Sequence, residues 1–71
     1  MTIYDFERTV RSTKGQMIYY ENAEMDTLRA FRYGEAPIQE SDQYAKCLVK
    51  EILWGEKHMI VTVEEKLGDT I

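Results

Sequence analysis

The chain has 71 residues, 44% hydrophobic and 31% charged, with 13 acidic and 9 basic side chains and a net charge of −4. That length allows one small domain, residues 1–71, near the lower size at which a hydrophobic core suffices without disulfides or metal, and the single cysteine, Cys47, excludes an internal disulfide. The acidic balance argues against sequence-independent nucleic-acid binding, which needs basic surface over phosphates, and no apolar run approaches the roughly 20 residues of a membrane span.

The first predicted element is a helix from about Ile3 to Thr13. Thr2 followed by Asp5 resembles a capping box, and Asp5 and Glu7 stand where the helix dipole favours anions. Arg11 and Lys14 stand at the opposite end, with Gly15 available as a left-handed C-cap. Ile3, Phe6 and Val10 recur at helical spacing and form a narrow stripe to lay on a sheet. The same Asp5 and Glu7 occupy positions that a signal peptide would fill with apolar residues, so the expected location is cytoplasmic.

Gln16 to Glu21 reads as a short aromatic strand, with Met17 and Tyr19 on one face and Ile18 and Tyr20 on the other. After a polar connection, Thr27 to Tyr33 reads as a second strand in which Arg29, Phe31 and Tyr33 alternate with Leu28, Ala30 and Arg32. Placing Arg32 beside Leu28 and Ala30 suits a sheet edge, where a long side chain reaches water and an inward charge discourages edge pairing. Gly34 to Gln43 is a connection broken by Pro37, and Ser41 to Tyr44 can form one helical turn.

Cys47 to Glu64 is expected to form the centre of the sheet. Met59, Val61 and Val63 alternate with Ile60, Thr62 and Glu64, which is a strand period in β-branched residues. The preceding segment fits either a strand or a helix, since Leu48, Val49, Ile52 and Leu53 also make a helical stripe with Gly55 as its cap. In the hairpin reading, Gly55, Glu56 and Lys57 form the loop. That sets Leu53 beside Met59, Glu51 beside Val61 and Val49 beside Val63 on one face, with Ile52 beside Ile60 and Trp54 beside His58 on the other. Glu51 on the more apolar face is the flaw of this register, and a bulge or one-residue slip reassigns every side. Residues 66–71 have no pattern and are expected to fray. The expected fold class is α+β: an N-terminal helix on a small antiparallel sheet, in the order α-β-β-(short helix or turn)-β-β, with α-β-β-α-β as the alternative.

No motif names a reaction. Cys47 and His58 are expected at opposite ends of the hairpin, too far apart for nucleophile and base, and one Cys with one His supplies no recognised metal-ligand spacing. Glycines are isolated at turns, so no phosphate loop is present. The chain is therefore expected to be no enzyme, to hold no metal and to need no cofactor. Tyr19, Tyr20, Arg29, Phe31, Arg32 and Tyr33 form a basic-aromatic cluster of the kind found in single-stranded nucleic-acid binders. Together with Trp54 these residues suit protein recognition better, because Tyr, Trp and Arg are enriched at interface hot spots. Both faces of the hairpin carry apolar residues, including Ile52, Trp54 and Ile60, so one face is expected to meet a second small helix, a partner subunit or a target.

MTIYDF at Met1 to Phe6, QMIYYEN at Gln16 to Asn22 and LVKEILWGEKHMIVTV at Leu48 to Val63 resemble a loose group of small orphan accessory proteins of Firmicutes phages and mobile elements. These open with a short helix after M-T-[IV], then carry two strands, a polar or proline-bearing link and a closing hairpin. The chain departs from them at Glu40 to Lys46, ESDQYAK, where related chains carry more acids and leucines. The group has no assigned catalytic residues; the resemblance implies a phage-type accessory protein acting in a bacterial host cell. The resulting expectation is an inhibitor that binds a host or host-defence protein, an anti-CRISPR protein being one form. A small nucleic-acid-binding regulator and a homo-oligomeric structural subunit are the alternatives.

Overall fold

The computed structural model describes residues 1–65, so the expected fray at 66–71 lies outside the described residues. One helix, α1 (Ile3–Thr9), precedes four strands, β1 (Met17–Glu21), β2 (Thr27–Arg32), β3 (Leu48–Trp54) and β4 (His58–Glu64). The class is α+β, and Leu48–Trp54 is a strand, so the helical alternative for that segment does not hold.

The start of α1 is built as its sequence suggests, with the Thr2 hydroxyl accepting the Asp5 N–H at 3.2 Å. Its remaining free amides find backbone partners elsewhere: Ile3 N–H donates to the Cys47 carbonyl and Tyr4 N–H to that of Ala45. The helix is shorter than expected and stops at Thr9. Thr9 bonds back to the Asp5 carbonyl, and Val10, Ser12 and Thr13 follow as weak helix formers, so nothing sustains another turn. Gly15 therefore caps no helix. It adopts φ 91° in a turn that leads into β1, where its N–H donates to the Tyr33 carbonyl.

The sheet is mixed, not antiparallel throughout. Its order is β2-β1-β4-β3: the two hairpins join through a parallel seam in which Met17 pairs with His58 and Tyr20 with Val61. The expected edge position of β2 is realised, but the closing hairpin is not central as a whole: β4 lies inside the sheet and β3 forms its other edge. Residues 34–47 carry the chain from one edge to the other. They form successive turns, not a helix, with Asp42 accepting the Tyr44 N–H on its side chain and the Ala45 N–H on its carbonyl.

That link, together with α1, makes the second layer of the fold. Ile3 and Phe6 from the helix, Ile38, Ala45 and Cys47 from the link, and Ile18, Tyr20, Phe31, Met59, Val61 and Val63 from the sheet form one buried cluster. Completely covering an aliphatic side chain such as Ile18 or Val61 contributes about 1.5–3 kcal/mol, so the link adds to the core as well as crossing it. No helix among the described residues is long and apolar enough to cross a membrane.

The closing hairpin forms in a register one residue from the expected one near its turn. Trp54 pairs with Met59, Leu53 with Ile60, Ile52 with Val61 and Glu51 with Thr62; a shift between Val49 and Glu51 then restores the expected pairing of Val49 with Val63. The slip removes the flaw of the simpler register, because Glu51 leaves the face of Val61 and Ile52 takes its place. Its turn depends on Gly55, where a Cβ would lie 2.6 Å from the His58 carbonyl oxygen. Gly55→Ala should destabilise the fold by about 1–3 kcal/mol, measurable as a lower urea midpoint with an unchanged m-value.

Candidate functional site

The pairing pattern sorts the side chains of the sheet onto two faces. One face, under α1 and the link, carries Arg29 and Phe31 from β2, Ile18 and Tyr20 from β1, Met59, Val61 and Val63 from β4, and Ile52 and Trp54 from β3. The alternating residues face away from that layer. They fall into rows across the sheet: Arg32, Met17 and His58; then Ala30, Tyr19, Ile60 and Leu53; then Glu21, Thr62 and Glu51. Leu28, next to the register shift between Tyr20 and Glu21, packs against the core instead of completing a row.

The residues expected to bind a partner are therefore divided. Tyr20 and Phe31 are buried in the core and present no contact surface, and Ile52 packs against the same cluster. Arg29 is bound within the protein. Ile60 lies half-buried in the centre of the open face, Arg32 is exposed at its edge, and Tyr33 is half-buried just beyond β2 with its N–H bonded to the Gln16 carbonyl. Trp54 stands out: at 63% exposed it ends the core-side row that begins with Phe31, at the part of β3 that the second layer leaves uncovered. Its neighbour Leu53, 54% exposed, points to the opposite face. The β3 edge near the turn thus presents a large apolar side chain on each side.

Cys47 and His58 lie at opposite ends of the closing hairpin. The buried Cys47 precedes Leu48, which pairs with Glu64, whereas His58 is exposed by the turn with its ring edge-on to Tyr19, 5.8 Å between centroids. Among the described residues no group of three or more His, Cys, Asp or Glu is placed to hold a metal ion.

The main electrostatic feature is Glu7, whose helix-dipole position and charge near the start of the chain gave no hint of burial. Its side chain is fully buried and accepts two bonds of 2.8 Å from Arg29, through Nε and Nη2, and a third of 2.7 Å from the Ile38 N–H. This fork geometry is the strong form of an ion pair, and the hydrogen bond to Glu7 raises the Arg29 pKa further above its ordinary value. A signal was present in the sequence: Glu7 is four residues from Ile3 and three from Val10, on the apolar stripe. Tyr20 stands by the same carboxylate with its hydroxyl buried and, among the described residues, without a hydrogen bond of normal geometry. Burial first, then the negative charge of Glu7, pushes its phenol far above the usual tyrosine range. By contrast the pairs Arg32–Glu35 and Lys50–Glu64, both at 3.7 Å and exposed, contribute little.

Comparisons with models of protein families, with curated proteins and with solved structures find no match to this chain. The residues themselves therefore carry the functional argument. They define two surfaces without an internal partner layer: the open sheet face and the Trp54 side of the hairpin end.

Two substitutions test the buried network. Arg29→Ala strands the Glu7 carboxylate and should cost about 3 kcal/mol or more in chemical denaturation. Tyr20→Phe removes a buried hydroxyl that lacks a hydrogen bond of normal geometry among the described residues and should change stability at pH 7 by no more than about 1 kcal/mol. The pH dependence separates the phenol from the packing. Because folding raises the Tyr20 pKa, its proton favours the folded state once the unfolded phenol begins to ionise. Wild type should therefore lose stability relative to Tyr20→Phe as pH rises above about 10, with no such change below it.

Proposed function

We propose that this protein works by binding another protein, with Trp54 as the anchor of the contact. The observation that carries this reading is the 63% exposure of Trp54 at a strand end, where a rigid aromatic side chain can enter a partner's pocket at low entropic cost. Such residues dominate the energetics of protein interfaces. Trp54 is paired across the hairpin with the buried Met59, so its backbone belongs to the sheet while its ring stays accessible.

The particular role we propose is inhibition of a host or host-defence factor in the bacterial cytoplasm, as a phage-type accessory protein. An anti-CRISPR protein is one specific form. This part rests on the small size and on the pattern of MTIYDF, QMIYYEN and the closing hairpin. The nucleic-acid alternative is less favoured by the arrangement of β2: Arg29 is committed to Glu7, which leaves Arg32 as the one fully exposed arginine of the strand and supplies no basic track for a phosphate backbone.

The test is capture from bacterial lysate with the tagged protein and with Trp54→Ala, at low and high salt after nuclease treatment, read by mass spectrometry. A stoichiometric protein should survive high salt on wild type and fall by at least about tenfold on the variant, as expected for a hot-spot truncation. Recovery of nucleic acid that disappears in high salt would instead support the regulator, and equal capture by both forms would remove Trp54 from the contact.

A further inference from the structure

The open face of the sheet, opposite α1 and the link, is apolar in the middle and charged unequally at its two ends. Its central row is Ala30, Tyr19, Ile60 and Leu53, one residue from each strand. At one end lie Arg32, Met17 and His58, and at the other Glu21, Thr62 and Glu51, with Glu64 one step further along β4. The adjoining turn adds Glu56 and Lys57, which offset each other, and the Arg32–Glu35 and Lys50–Glu64 contacts are long and exposed, so both can exchange partners at little cost.

A face with this gradient complements itself in only one of two simple stackings. If the two-fold axis ran along the strands, Glu21 and Glu51 of one molecule would lie over the same carboxylates of the other. If it runs across the strands, through the Tyr19 row, the apolar row still lies on its own copy. The Arg32 and His58 end of each molecule then covers the Glu21 and Glu51 end of its mate. We propose that the open face binds a second copy of this chain in this antiparallel, face-to-face arrangement, making a two-sheet sandwich with α1 and the link on the outside.

Several features fit a second copy as the occupant. Packed sheets bury their inner faces at a spacing of about 10 Å, and the row of Tyr19, Ile60 and Leu53 supplies the apolar layer that such packing needs. A two-fold interface must use one patch against itself, and the reversal of charge across the Tyr19 row satisfies that demand without another protein. The contact is separate from the one proposed for Trp54, whose side chain lies on the other side of β3.

The decisive experiment measures self-association of the whole chain by sedimentation, for wild type, for Arg32→Glu, for Glu21→Arg and for the two variants mixed. Arg32 and Glu21 lie on adjacent strands at opposite ends of the face, so the stacking brings each near the other residue of its mate. Wild type should dimerise. Each variant alone should self-associate about tenfold or more weakly, since the symmetry repeats every like-charge contact and such contacts are costly at interfaces. The mixture should recover wild-type affinity, because each altered residue then meets an opposite charge. Leu53→Asp, at an exposed position, should abolish association while circular dichroism stays native, and Trp54→Ala should leave it unchanged. If a charge variant fails to fold, the Leu53→Asp result decides. A chain that stays monomeric to ~1 mM, or a dimer indifferent to Leu53→Asp, or one disrupted by Trp54→Ala, would overturn the proposal. None of these results bears on lysate capture through Trp54, so the two readings fail separately.

Discussion

The Glu7 carboxylate is the polar junction of three pieces of chain that otherwise meet mainly through the apolar core. It sits on α1, takes the guanidinium of Arg29 from the edge strand β2, and takes the backbone amide of Ile38 from the link. Burying a carboxylate is costly, and the cost is offset only when charge and lone pairs are both satisfied. Three donors at 2.7–2.8 Å meet that requirement, and the same bonds fix where the helix and the link lie on the sheet. Arg29 is thereby held against Glu7, with only 21% of its side chain exposed.

The fold was partly legible in the sequence because several signals act over a few residues. Thr2 and Asp5 make a local cap, Val61 and Val63 alternate with polar neighbours, and Arg32 marks an edge strand. What escaped the sequence depends on contacts between distant segments. The Glu51 flaw announced that the simplest register was wrong, but the correction needs both a shifted turn around Gly55 and a compensating irregularity before Glu51. Likewise the parallel seam cannot be read from β1 or β4 alone, since each also has a hairpin partner that explains its apolar residues. Ile38 and Ala45 lie in a polar stretch whose composition suggests a surface connection; only the layer above the sheet reveals them as core.

The candidate site shows the same division. Exposure of Trp54 follows from where the second layer lies: the start of α1 docks beside Leu48, at the other end of β3, a placement that is not encoded near residue 54. Tyr20 and Phe31 look like surface aromatics when counted with their neighbouring arginines, yet they share the covered face with Ile18 and Met59. Composition identified the residue types suited to recognition, while burial determined which of them remain available.

The parallel seam between β1 and β4 has a further consequence for assembly of the chain. Each half of the sheet is a local hairpin, closed by a short turn, whereas the seam brings Met17 to His58 across the long link. Local hairpins form in microseconds, but closing the longer loop must bear its entropy before the seam contributes. The two halves therefore behave as modules joined late. A β3–β4 hairpin supplied by another molecule could satisfy the same ladder, so the seam is the natural place for strand exchange and for complementation between separate fragments.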